Sequence, residues 1–308
     1  MPRRTRLIAL SAALVYGVMG PLHCAQESYV PDNYSPEPCG GMKLIRARDS
    51  LFFVGSDSGY TYESPAHAVR LTHDFYMDST EVTAALFSQL MGYSRPGWMG
   101  RRHPVTGILF YHIIRFCNER SKQCGLDTVY EWSVAVANAY DTLIFISAVF
   151  YEKNGFRLPT EAEWEYACRA GTHTRFYWGN DSTEDTVKQY EWYARNADSS
   201  AWTQPHASRS GTQEVALKRP NGFGLYDMTG NADEVCQDLF KRYPSNPDTL
   251  TDPTVDDPYA TYGQRVIRGG SYMTPYVQRL TPSARSGIGV DELESYAISF
   301  RCVRRSFD

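Results

Sequence analysis

Residues 172–308 constrain the fold most: they are rich in Trp, Tyr, Gly and Asn and poor in long periodic runs. That pattern implies extensive irregular structure held by aromatic packing. Ahead of it the apolar residues come in short bursts. Leu51-Phe-Phe-Val-Gly55 and His67-Ala-Val-Arg-Leu71 read as short strands separated by a Gly/Ser/Asp turn, and Phe75-Tyr-Met-Asp78 leads into a helix start at Ser79. The spacing predicts a helix from Thr83 to Met91 that ends at Gly92. A second helix is expected over Phe110–Cys124, with Ile113, Ile114, Phe116 and Cys117 on one side. A third starts at the capping box Thr160-Glu-Ala-Glu163 and runs to about Ala170, with Gly171 as its C-cap. No linker splits the chain after residue 42, and no internal repeat is visible.

With 308 residues and a formal net charge of −4, the chain can bury a sizeable core but carries no global basic field. Nucleic acid is therefore not an expected partner. Arg3, Arg4 and Arg6 precede an apolar stretch, Leu7 to Leu22, that is short and broken by Gly and Pro, so residues 1–25 read as a secretory signal peptide. Cleavage after Ala25 gives a soluble exported protein, periplasmic, cell-surface or secreted. Cleavage before Cys24 gives a lipid-anchored one, the single membrane link envisaged. Residues 26–41, polar and proline-bearing, read as a flexible lead-in.

Export makes disulfides the default use of Cys39, Cys117, Cys124, Cys168, Cys236 and Cys302, which show neither a CxxC pair nor zinc spacing. Spacing alone leaves their connectivity open. His67, His73, His103, His112, His173 and His206 are scattered without metal-site spacing and read as surface or hydrogen-bonded residues.

Several ordered segments then resemble the formylglycine-generating-enzyme (sulfatase-modifying factor) family. They are Gly155-Phe-Arg-Leu-Pro-Thr-Glu-Ala-Glu-Trp-Glu-Tyr-Ala-Cys-Arg-Ala-Gly171, Phe176-Tyr-Trp-Gly-Asn180, Asn221-Gly-Phe-Gly-Leu-Tyr-Asp-Met-Thr-Gly-Asn231, Arg268-Gly-Gly-Ser-Tyr272 and Phe300-Arg-Cys302. The resemblance spans about residues 42–305. It implies one irregular α+β domain over 42–308, related to C-type lectin folds and often calcium-bound. It also implies a disulfide between Cys117 and Cys302, whereas Cys168 reads as a buried apolar residue. One calcium is implied at the Asp227 side chain, the Gly230 and Ala232 carbonyls and the Glu234 carboxylate, a hard-oxygen set.

The same resemblance exposes a loss. Catalytic members bind Cu(I) through two cysteines just after Gly-Gly-Ser-Tyr, but residues 271–285 contain no cysteine. Thr274 stands at the first position, and the second falls at Val277 to Arg279. A hydroxyl does not replace a thiolate on Cu(I), so copper is not expected. Asp233 and Val235 replace two family tryptophans at the cleft wall. The reading is an exported, calcium-stabilised binding or envelope-associated module for a protein or glycan, without copper oxidase activity. Asp233, Ser271, Tyr272, Thr274, Tyr276 and Arg285 are its contact candidates. Trp192, Tyr193 and Trp202 are candidate glycan aromatics. The alternative is an active formylglycine-generating-type oxidase, or another enzyme modifying exported proteins.

Overall fold

The computed structural model describes residues 36–94, 100–136, 142–197, 211–245, 248–256, 263–289 and 297–307. Cys24, the signal segment, Trp202 and His206 lie outside them. In chain order the elements are β1 Met42–Ile45, β2 Ser50–Val54, β3 His67–Leu71, β4 Phe75–Asp78, α1 Ala84–Met91, α2 Phe110–Gln123, β5 Tyr130–Val136, β6 Thr142–Val149, α3 Glu161–Arg169, α4 Glu184–Tyr190, β7 Asp233–Leu239, β8 Leu250–Thr251, β9 Gln264–Arg268, β10 Arg285–Gly289, β11 Ile298–Ser299 and β12 Val303–Arg305. The strands form small sheets ordered β1-β4-β12, β10-β9-β7-β11, β2-β3-β8 and β5-β6. This is the mixed α+β architecture expected, with long stretches of irregular chain between elements. Among the described residues no helix is long and apolar enough to cross a membrane.

The strand pairing carries the chain end back to its start. β12 pairs antiparallel with β4, Val303 opposite Met77, and β11 runs parallel to β7, Ile298 opposite Asp233. Two apolar clusters fill the interior. One gathers Phe87, Phe116 and Phe300 beneath α1 and α2, with Phe87 and Phe116 stacked at 5.3 Å and Phe300 edge-on to both. The other surrounds Trp164 with Phe75, Met77, Leu225 and Val266.

Local sequence explains the helix ends. Thr83 caps α1 by accepting from Leu86 N–H at 3.3 Å, and Gly92 stops it at φ 75°, where a Cβ would be strained. α3 starts at the expected capping box, Thr160 and Glu163 each bonding the other's backbone. Its left-handed cap is Ala170 at φ 47°, one residue before the Gly171 expected for it, and Gly171 also turns left-handed at φ 82°. α2 closes at Cys124, which is joined to Cys39 by a disulfide. The last residues of the expected lead-in are thus fastened: Arg120 also donates to the Pro38 carbonyl at 2.6 Å.

The bond expected between Cys117 and Cys302 is corrected. Both are buried free thiols whose sulfurs lie 3.7 Å apart, a van der Waals contact well beyond the covalent length of about 2 Å. Cys168 and Cys236 are likewise buried and free, and burial pushes the thiols of Cys117, Cys168 and Cys236 above the ordinary range.

Candidate functional site

The scaffold of the site is α3. Its glutamates at 161, 163 and 165 are all buried, and every one meets arginine. Arg285 forks onto Glu161 at 2.6 and 2.7 Å, and Arg268 reaches Glu161 at 3.0 Å and also binds Glu165. Arg157 forks onto Glu163 at 2.7 Å through both nitrogens, with His73 at 3.0 Å from the same carboxylate. Burial alone would raise Glu163, but Arg157 and His73 hold it well below the usual carboxylate range. Arg169 and the Gly55 amide complete Glu165. Paired this way, the charges fix where β2, β9, β10 and α3 sit relative to one another.

Arg285 belongs to this scaffold. Its remaining nitrogen donates to the Tyr62 and Lys241 carbonyls, and its guanidinium lies 4.0 Å over the Tyr243 ring. Every nitrogen of its fork is committed to these partners.

β9 delivers the chain to Gly269 and Gly270, left-handed at φ 92° and 70°. A Cβ on Gly269 would lie 2.9 Å from the Met228 carbonyl, and one on Gly270 2.9 Å from Leu280 and 3.0 Å from the Thr274 hydroxyl, so both positions require glycine. Beyond them the chain closes a small turn: Ser271 N–H donates to the Thr274 hydroxyl at 3.0 Å, and Thr274 N–H to the Ser271 carbonyl at 2.9 Å. Thr274 therefore serves the turn. Tyr272 is buried with its amide on the Asn231 carbonyl, whereas Met273 and Tyr276 project into solvent at 45% and 59% exposure.

Asp233 begins β7 beside this turn. Burial raises its carboxyl to about 7, against the opposing pull of bonds from the Ser271 hydroxyl and the Gly270 amide. Asp233 and Ser271 are thus brought together. Val235, by contrast, is fully buried in the cluster beneath α1 and α2.

The loop before β7 carries Asp227, Gly230 and Ala232, the positions read from the sequence as hard-oxygen donors, and leads into Glu234 on β7. Asp227 and Asn231 are left-handed at φ 52° and 58°, and a Cβ on Gly230 would sit 2.5 Å from the Trp192 carbonyl. Asp227 accepts the Ala216 amide at 2.7 Å through Oδ2, while Oδ1 is buried with no partner. Glu81 is in the same state, with Oε1 on the Asn231 side chain at 3.0 Å and Oε2 unpartnered. Burial raises Asp227 to about 6, with the Glu234 charge adding to it, and burial followed by the charges of Asp227 and Glu234 raises Glu81 well above the usual carboxylate range. Glu234 differs. Arg301 forks onto it at 2.7 and 2.5 Å, and the Trp164 ring N–H adds a 2.7 Å bond. Among the described residues no group of three or more His, Cys, Asp or Glu side chains is arranged around a metal. A cation at this loop would use carboxylate and carbonyl oxygens.

Two of the three candidate glycan aromatics, Trp192 and Tyr193, lie among the described residues. Tyr193 is buried in a small cluster with Val187 and Leu280, and the Lys218 ammonium covers Trp192 at 3.5 Å.

A groove of about 930 Å³ lies elsewhere, and none of the contact candidates lines it. β2 forms one side, and the segments after α3 and around Gln278 to Ser283 form the others. The sequence signal for it was the exposed half of Leu51-Phe-Phe-Val54: a strand with two apolar residues on its outer face.

A family model described as the sulfatase-modifying factor enzyme 1-like domain matches residues 40–306. The formylglycine-generating enzyme of Mus musculus is 36% identical over 87% of this chain and 76% of its own length. That of Streptomyces coelicolor is 30% identical over 84% and 88%. Among solved structures, Treponema denticola variable protein 1 superposes with a TM-score of 0.66 and 28% identity, covering 86% of this chain and 95% of its own. PvdO from Pseudomonas aeruginosa, at TM-score 0.61 and 20% identity over 88% and 96%, shares the fold.

Proposed function

This chain belongs to the sulfatase-modifying factor enzyme 1-like family, and from that premise we propose that it is an exported binding module without copper oxidase chemistry. One observation carries the reading: the turn after Gly269-Gly270 has a threonine hydroxyl, tied to Ser271 N–H, where copper chemistry needs a thiolate. No cysteine lies anywhere in residues 271–285, and the free cysteines of the described residues are buried in other parts of the core. The donor set does not fit Cu(I).

Calcium is a different case, because the residues present fit it in part. The unpartnered Asp227 Oδ1 offers a buried anionic oxygen at the expected loop. Glu81 Oε2 offers a second, in place of Glu234, whose oxygens already face Arg301 and Trp164. Bound there, calcium would neutralise carboxylates that are costly to keep charged and would hold the loop from Asp227 to Asp233. The leader segment and the Cys39–Cys124 disulfide support export into an oxidising compartment. The contact surface for a protein or glycan partner includes exposed Tyr276 of the 271–276 turn and half-buried Asp233 at the start of β7, which meets the turn at Ser271.

The alternative, an active oxidase or another enzyme modifying exported proteins, draws on relatives named formylglycine-generating enzyme. It requires a soft-metal site outside residues 271–285. Oxygen uptake decides between the two readings. With the mature protein, Cu(I) and a cysteine-bearing sulfatase peptide, the module reading expects no uptake above that of copper and peptide alone. Uptake that scales with protein, with loss of the peptide thiol, would overturn it.

A further inference from the structure

We propose that the free edge of β2 is a strand-docking site that takes an extended, acidic peptide segment of a partner protein into the groove beside it. The inference rests on the binding-module reading and assigns that module a second surface, separate from the 271–276 turn.

The edge is open. β2 is the outermost strand of the β2-β3-β8 sheet and pairs with β3 alone, Phe52 opposite Val69. Alternate residues of an antiparallel strand turn their N–H and C=O groups away from the partner. The end amides are used, Ser50 N–H on the Ala47 carbonyl and Gly55 N–H on Glu165, but no third segment pairs with Leu51, Phe52 or Phe53 among the described residues. Proteins ordinarily blunt such edges with Lys, Pro, a bulge or a covering loop. Here the strand Ser-Leu-Phe-Phe-Val has no Lys or Pro, its register runs without a shift, and Leu51 and Phe53 stand 54% and 56% exposed. An unprotected edge flanked by apolar side chains is a strand template, and strand addition takes affinity from main-chain bonds and specificity from alternate side chains.

The shape selects the occupant. The edge is recessed: the 930 Å³ groove is walled on other sides by Tyr166, by the Thr172 to Arg175 segment and by Gln278 to Ser283. An extended chain enters such a groove, with strands about 4.8 Å apart. The same edge of a second copy would be recessed behind its own walls and could not reach this one. Charge selects the chemistry. Arg175 and His173 are exposed on the rim, and Arg279 stacks at 4.6 Å on Tyr60, itself a lining residue. The one acid among the lining residues, Glu63, is 2% exposed and occupied by the Ser283 hydroxyl at 2.8 Å. Among the lining residues the exposed charge is therefore that of Arg175, so aspartate or glutamate in the peptide complements it.

The test is selection from a linear twelve-residue displayed peptide library against the intact mature chain, followed by fluorescence anisotropy with an enriched peptide. Phe53→Glu and Arg175→Glu are the variants, both at exposed positions where thermal melting checks that the fold is kept. The expected result is enrichment of alternating β-branched or aromatic sequences bearing Asp or Glu. Affinity should fall about tenfold or more for each variant, and methylating alternate peptide amides should abolish binding. Hydrogen exchange over Ser50–Val54 should slow when the peptide is bound. Peptides that bind both folded variants undiminished would overturn the proposal, as would no enrichment over the Phe53→Glu protein. So would a protein dimer that Phe53→Glu dissociates, which would assign the edge to a second copy.

Discussion

Two sets of buried carboxylates a few residues from the same sheet behave in opposite ways. On α3, Glu161, Glu163 and Glu165 are each matched by arginine, with hydrogen bonds left over from Tyr243, His73 and Gly55. Asp227 in the loop before β7, and Glu81 ahead of α1, each keep one buried oxygen with no donor, and burial raises both. A fully paired set serves as framework, since its ionised state is already compensated inside the fold. A half-satisfied set is costly as it stands, and a hard cation is what would relieve it.

The contrast is broken most severely by unmatching the framework. Arg268→Met would leave Glu161 short of one partner and Glu165 dependent on Arg169, and should cost about 3–5 kcal/mol. Urea denaturation measures it. A loss below about 1 kcal/mol would mean that the network is not what holds α3 to β9.

Next is the loop. Calcium at a hundred times its dissociation constant should stabilise the protein by about 2.7 kcal/mol. Asp227→Asn should remove most of that gain while leaving the calcium-free protein no less stable, because it deletes an uncompensated charge. Thermal melts with calcium and with chelator check both halves, and an equal calcium response in the variant would move the cation elsewhere.

Asp238 sharpens the same point through pH. It accepts from Glu161 and Val255 amides at 2.7 Å each, and burial first, then Glu161, raises it to about 7 from an ordinary 3.8. The folded chain therefore holds this proton where the unfolded chain has released it. Its contribution is fully present below about pH 4 and is lost as pH rises through about 7. Asp238→Asn should flatten that decline by on the order of 2 kcal/mol across the window, allowing for relaxation around the buried group. An unchanged slope in chemical denaturation at pH 4, 5.5 and 7 would show that Asp238 is not the group titrating.

At the small end lies Lys122, paired with Glu119 at 3.0 Å on the surface of α2. Lys122→Ala should change stability by about 0.5 kcal/mol or less, since water and salt already screen the pair. A large effect would undo the distinction between buried framework charges and exposed ones.

The sequence made the local parts of this account readable and the distant parts not. Thr83, Gly92, Thr160 and Glu163 announce helix ends through bonds spanning three or four residues. The ordered motifs from Gly155 to Cys302 also identified the family. What was missed depends on contacts across the chain. The partner of Glu161 is 124 residues away at Arg285, so no local pattern could show which carboxylate this arginine pairs with. Cys117 and Cys302 are brought together across 185 residues but remain thiols, whereas the bond forms between Cys39 and Cys124, a pairing that spacing left open. The β5–β6 hairpin and α4 gave no distinct signal. The groove depended on knowing that β2 is an edge strand.

The most direct test of the central claim is the metal content of the purified mature protein, measured by elemental analysis after dialysis against calcium and Cu(I) together and exhaustive washing. The account predicts bound calcium that Asp227→Asn loses, and no retained copper. Stoichiometric copper in the wild-type chain would contradict it and require a soft-metal site that residues 271–285 do not supply.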